Sequence, residues 1–193
     1  MRRGGAAVTV AALGLLVAGC SGYERETTQP GPGATASASA LQACPEQPEA
    51  AASGAEVMPA LSFDCPGGGT LDLSRAPGVP TVVNLWGSWC APCREELPLF
   101  QELVASAGEQ VRVLGVISKD GLPQAESFAA DAGVTFPSAL DGDGELMAGL
   151  GINVLPHTYF LDADGGLAYT QVGPVTSVEE LRGLVAEHLG VQL

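Results

Sequence analysis

The run Trp86-Gly87-Ser88-Trp89-Cys90-Ala91-Pro92-Cys93-Arg94 constrains this chain more than any other stretch, because two cysteines three apart fall where an apolar strand hands over to a helix. The preceding Thr81-Val82-Val83-Asn84-Leu85-Trp86 is β-branched and apolar, the composition of a buried strand. Over residues 94–106, Leu97, Phe100, Leu103 and Val104 recur at helical spacing. Cys90 therefore stands at or near a helix N-terminus. Unpaired N–H groups and the positive end of the helix dipole favour an anion there, and the thiolate is the reactive form of cysteine. Cys93, one turn on and deeper, is placed to attack a mixed disulfide on Cys90. Such a pair is a reversible dithiol/disulfide switch in which Cys90 exchanges and Cys93 resolves. Pro92 fits the first helical turn, where no intrahelical donor is needed, and stiffens the small ring.

A C-x-x-C pair also occurs in zinc sites, but a structural site needs two more ligands. Cys44, Cys65, His157 and His188 are the candidates, and they form no second close pair. No metal is expected.

The chain opens Met1-Arg2-Arg3, runs apolar through residues 4–18 and reaches Ala18-Gly19-Cys20. That is the pattern of an export signal over residues 1–19, shorter than the roughly 20 apolar residues that span a bilayer. Small residues before Cys20 are similar to the bacterial lipobox, in which the cysteine is lipidated and becomes the mature N-terminus. An uncleaved signal anchor and a secreted protein with a spare thiol are the alternatives. Residues 20–42 are rich in Gly, Pro, Ala, Ser and Thr, too poor in apolar surface to offset ordering, so a flexible tether is expected there and one domain over residues 43–193. The net charge of −14 makes nucleic acid and anionic lipid poor partners. Of five cysteines, one is the anchor and two the switch. Cys44 and Cys65 remain, and in an exported protein these are expected to be joined; two free buried thiols are the alternative.

Leu61-Ser62-Phe63 and Thr70-Leu71-Asp72-Leu73 flank Pro66-Gly67-Gly68-Gly69 and read as a hairpin. After the cysteine helix come a strand at 111–117, a helix at 122–132, a short strand at 136–140 and a short helix at 145–150. A strand at 154–161, a turn at 162–166, a partner strand at 167–172 and a helix at 177–189 complete the chain. This alternation indicates an α/β sheet with a parallel core. Asp141-Gly142-Asp143-Gly144-Glu145 invites a calcium reading, but Leu146 stands where an EF-hand loop has glycine, so a solvated turn is expected.

The segment Trp89, Cys90, Pro92, Cys93, Arg94, Glu96 and Pro98, followed some sixty residues later by proline, strand, turn, strand and helix, resembles the thioredoxin superfamily. Within it the chain is similar to the membrane-tethered TlpA/ResA/CcmG group, over residues 55–193. The resemblance implies a thioredoxin-like α/β fold, a mixed central sheet flanked by helices, here with an N-terminal β-hairpin extension. It implies a cis-proline at Pro156, with Leu155 lining a substrate groove beside Cys90, and Trp89 and Pro92 adding contact surface. It also implies that Glu96 is the acid/base for the cysteines, against the alternative of a solvated glutamate like Glu95. Thioredoxins of the cytosolic type carry a buried acid on the central strand where this chain has Asn84.

The expected function is an extracytoplasmic protein thiol-disulfide oxidoreductase. It would be a monomer held on the bacterial cell membrane by its lipid, reducing disulfides in exported proteins, apocytochrome c among them. Electrons would come from a membrane thiol donor of the CcdA/DsbD kind, with no cofactor beyond the Cys90/Cys93 pair. An oxidant that installs disulfides is the alternative. A rival of another class is a non-enzymatic, partner-binding lipoprotein in which that bond is permanent structure and resists dilute dithiol.

Overall fold

The computed structural model describes residues 39–193, so the expected signal segment, Cys20 and most of the tether lie outside the described residues. The strand expected from the β-branched run is β3, Thr81–Trp86, and every one of its residues is buried. Before it, β1, Ser62–Asp64, and β2, Thr70–Asp72, pair antiparallel as a separate hairpin. After it come α1, Ala91–Ala107, β4, Arg112–Ser118, α2, Leu122–Ala132, β5, Ser138–Asp141, and α3, Glu145–Gly149. The chain ends with β6, His157–Leu161, β7, Leu167–Val172, and α4, Val178–Leu189. The five-stranded sheet has the order β5-β4-β3-β6-β7. Its β3/β4 and β4/β5 pairs are parallel, and β6 and β7 join antiparallel, which makes the sheet mixed.

Alternation along β3 divides the core. Val82 and Trp86 face one side with Leu97, Phe100 and Leu103 of α1, Ala125 and Ala129 of α2, and Leu181 and Val185 of α4. Val83 and Leu85 face the other side with Phe63 and Leu71 of the hairpin and Leu146 and Met147 of α3. Gly115 of β4 allows the close approach that seats Trp86: a Cβ there would lie 2.6 Å from the indole Nε1.

Folding begins earlier than the composition suggests. Leu41, placed in the tether by its neighbours, is 2% exposed and belongs to the helix-side core, and the Gln42 N–H donates to the Thr135 carbonyl at 2.8 Å. One large apolar side chain in a run of small and polar residues, with that backbone bond beside it, ties the segment down. Cys44 and Cys65 are bonded to each other, closing a loop of sequence separation 21 over the hairpin. The strand expected from residue 154 starts at His157, since Pro156 has no N–H to give the ladder. Asp141 is not the solvated turn residue expected. It is 2% exposed, and its carboxylate accepts the N–H groups of Glu145 (2.7 Å) and Leu146 (3.2 Å) and the Ser118 hydroxyl (3.3 Å), so it starts α3. Among the described residues no helix is long and apolar enough to cross a membrane.

Candidate active site

Cys90 is the N-cap of α1, with extended backbone, and its Sγ accepts the Cys93 N–H at 3.3 Å. The two cysteines are bonded, with Cα atoms 5.3 Å apart. Cys90 is 4% exposed and Cys93 fully buried, so the pair is asymmetric in access. Pro92 lies half-buried in the first turn, which carries no acidic residue to oppose a thiolate. Pro98 sits inside α1 and leaves the Arg94 carbonyl without its helical donor.

The loop entering the helix is held by the turn after β4. The Ser88 N–H donates to the Asp120 carboxylate at 2.6 Å, and the Trp89 indole N–H donates to the Ser118 carbonyl at 3.3 Å. Gly87 leaves room for that indole, which a Cβ would meet at 2.6 Å. Trp89 is 53% exposed beside the disulfide, whereas Trp86 is core. Arg94 projects from α1 with its guanidinium 5.0 Å over the Phe128 ring of α2, beside a groove of about 390 Å³ lined also by Ser88, Gln124 and Asp131. Ser118, Asp120 and Phe128 were not singled out by the sequence. Their position depends on how far the β4–α2 turn reaches back, which no local pattern encodes.

Glu96 and Glu95 are neighbours with opposite fates. Glu95 is exposed; Glu96 is fully buried beneath the helix. Its Oε1 accepts from Asn84 Nδ2 at 2.8 Å and its Oε2 from the Val175 N–H at 3.0 Å. Burial raises its pKa from 4.5 to about 7; the hydrogen bonds from Asn84 and Val175 oppose the rise, and the charge of Glu180 adds to it. Asn84 thus occupies the central strand beneath the helix as a donor to the acid. A polar residue in an otherwise apolar strand was the available signal, since a buried amide requires partners.

The Leu155–Pro156 bond is cis. Pro156 is buried and Leu155 is half-buried, packed against both cores, so the apolar side chain this loop exposes is Val154, at 59%. His157 is buried at the start of β6 and Nδ1 has no partner among the described residues; burial pushes its imidazole pKa down, which favours the neutral form. Among the described residues no group of three or more His, Cys, Asp or Glu is arranged to hold a metal ion.

Comparison with known proteins agrees with this geometry. The model of the Redoxin family matches residues 52–185. Sporulation thiol-disulfide oxidoreductase A of Bacillus subtilis is 35% identical over 109 residues, 54% of this chain and 66% of that protein. The thiol:disulfide interchange protein CycY of Rhizobium leguminosarum is 32% identical over 109 residues, 56% of this chain and 58% of that protein. The chain thus spans between 58% and 66% of the length of these relatives. Among solved structures, a secreted Mycobacterium tuberculosis disulfide oxidoreductase homologous to E. coli DsbE superposes with a TM-score of 0.58 at 25% identity, covering 66% of this chain and 96% of that one.

Proposed function

The chain belongs to the Redoxin family, and on that premise we propose that it is an extracytoplasmic protein thiol-disulfide oxidoreductase that reduces disulfides in exported proteins. The observation that carries the reading is the Cys90–Cys93 bond across the N-cap of α1, one sulfur at the surface end and one buried. In the reduced form the Cys90 thiolate attacks one sulfur of a client disulfide, and the other client sulfur leaves as a thiolate. Cys93 then attacks Cys90 Sγ, closing the intramolecular bond and releasing the second client thiolate. Two electrons pass to the client. Of the two protons its thiols take up, one comes from Cys93 by way of Glu96 and one from solvent.

Trp89, Pro92, Leu155 and Pro156 form the client-facing surface in this reading, and Cys44–Cys65 is structural. Cys20, lipidated after removal of residues 1–19, holds the domain on the outer side of the cell membrane by the tether. A membrane dithiol donor of the CcdA/DsbD kind restores the reduced pair, with no metal or organic cofactor, and the protein acts as a monomer. Apocytochrome c is a client the family resemblance favours. The secreted relative from Mycobacterium tuberculosis supports the location.

The test is the reduction potential of Cys90/Cys93 in residues 21–193 with Cys44–Cys65 kept oxidised. A value near about −270 mV supports a reductant; a value near about −120 mV marks an oxidant of exported proteins and overturns the direction. A bond that dilute dithiol cannot open in the folded domain instead favours the non-enzymatic binding role.

A further inference from the structure

The buried carboxylate of Glu96 has one partner able to reverse its polarity. An N–H group faces each of its oxygens, Asn84 Nδ2 at Oε1 and the Val175 backbone at Oε2. Asn84 Nδ2 gives its second hydrogen to Thr158 Oγ1, at 3.0 Å, on the neighbouring strand β6. Oδ1, at the other end of the amide, is buried and has no partner among the described residues. This arrangement suits an ionised Glu96. A protonated carboxyl needs an acceptor for its O–H, and a backbone N–H cannot become one. An amide can: half a turn of Asn84 about Cβ–Cγ places Oδ1 where Nδ2 stands, with nearly the same shape. Thr158 can follow, because a hydroxyl donates as readily as it accepts.

We propose that Asn84 is the positioning residue for Glu96 and that its amide turns over whenever Glu96 gains or loses a proton. The inference rests on the reading of Glu96 as the group that holds the Cys93 proton. With Glu96 ionised, Nδ2 donates to Glu96 and to Thr158. With Glu96 protonated, Oδ1 accepts from the Glu96 O–H and from the Thr158 O–H. Two hydrogen bonds are exchanged for two, and one end of the amide is unpartnered in each state, so neither orientation has a large advantage. The proton that leaves Cys93 as its sulfur attacks Cys90 comes to rest on Glu96 and passes on to the departing thiolate. No covalent bond to Asn84 is made or broken. The groups around the acid are Asn84 of β3, with Thr158 of β6 behind it, Val175 before α4, and Glu180 of α4, whose charge opposes ionisation; Cys93 lies three residues earlier on the same helix and is likewise buried.

The test is an NMR titration of reduced, isotope-labelled residues 21–193 from pH 5 to 9, following the Glu96 carboxyl carbon and the Asn84 side-chain amide protons. The Asn84 protons should be hydrogen-bonded above the Glu96 midpoint and lose that bonding below it, with the same midpoint, and Glu96→Gln should abolish the change. Asn84 protons that stay hydrogen-bonded throughout while Glu96 titrates overturn the reversal. In Asn84→Leu both forms of the carboxyl lose their partner, and because the charge-assisted bond to the ionised form is the stronger by about 1 kcal/mol, the Glu96 midpoint should rise by about 0.7 pH unit, roughly fivefold in proton activity. An unchanged midpoint overturns the positioning role. If that variant does not fold, the titration of the unsubstituted protein still decides the reversal. Neither measurement involves a client, so failure of the proposed reductase activity leaves both readouts intact.

Discussion

Replacing Glu96 by Gln should remove most of one pH dependence of stability, and its size follows from the burial of the side chain. Glu96 has an ordinary pKa of 4.5 in the unfolded chain and about 7 in the fold, where burial disfavours the charged form. Between those values the folded state binds more protons than the unfolded state. Stability therefore falls as pH rises across the window and is level on either side of it. The difference of about 2.5 units, at about 1.36 kcal/mol each, amounts to ~3 kcal/mol. Gln does not titrate, so its variant lacks this slope. Its amide N–H₂ can donate to the turned Asn84 amide while its carbonyl keeps the Val175 N–H, so whatever the substitution costs in stability is independent of pH. The quantity to measure is the gap between wild type and Glu96→Gln, by urea unfolding of the oxidised protein from pH 4 to 8.5. The titrations of all other groups cancel in that gap to first order. The wild type's advantage should shrink by ~3 kcal/mol over that range, a relative movement of the urea midpoint by roughly 1–2 M for a domain of this size. A gap constant to within about 0.5 kcal/mol would refute the reasoning, because it would mean that Glu96 titrates alike folded and unfolded.

Three other perturbations have signs fixed by the structure. Replacing Cys44 and Cys65 together by Ser opens a loop of sequence separation 21 and should cost ~3 kcal/mol in urea unfolding, while leaving the potential of Cys90/Cys93 within about 15 mV. Asp141→Ala strips the Glu145 and Leu146 N–H groups and the Ser118 hydroxyl of a buried acceptor, and should cost about 1–3 kcal/mol at pH 7. Burial holds the His157 pKa below its ordinary 6.5, so the unfolded state binds more protons there. Stability should decline as pH falls below 6.5, and His157→Phe should remove that part of the decline in the same assay.

The elements were legible where side-chain pattern and burial coincide. The run Thr81–Trp86 has a polar residue only where a partner waits, and Ser177 caps α4 from outside the helix, accepting the Glu180 N–H at 3.1 Å as its position before the apolar stripe implies. Leu41 was missed because its neighbours are small or polar and its partners lie far along the chain. Asp141 was misread because a carboxylate among glycines looks the same in sequence whether it meets water or the first turn of a helix. Glu96 needed a resemblance to be noticed at all: spacing from Cys93 puts both Glu95 and Glu96 near the cysteines, and only packing against β3 tells which is buried. The grip of Ser118 and Asp120 on the active-site loop had no local signature, since it depends on the turn that follows β4.

The register explains why the acid could be buried without breaking the sheet. Ser138 of β5, Gly115 of β4, Asn84 of β3, Thr158 of β6 and Gln171 of β7 stand opposite one another in sequence along the ladder, forming one row across a sheet whose flanking rows are largely apolar. At the centre of that row, Asn84 supplies a donor to the α1 side, and Thr158 shares the load from β6. The Glu96 carboxyl enters the core at this row, from the helix whose first residue is the N-cap cysteine's neighbour. The two cysteines are thereby stabilised by different means. Cys90 draws on the free N–H groups of a helix start, which favour its anion without needing a proton partner. Cys93, deeper and without that field, has a buried acid one turn further along α1. The proposed exchange, in which the outer sulfur attacks as an anion and the inner sulfur gives up a proton as it attacks, uses this division.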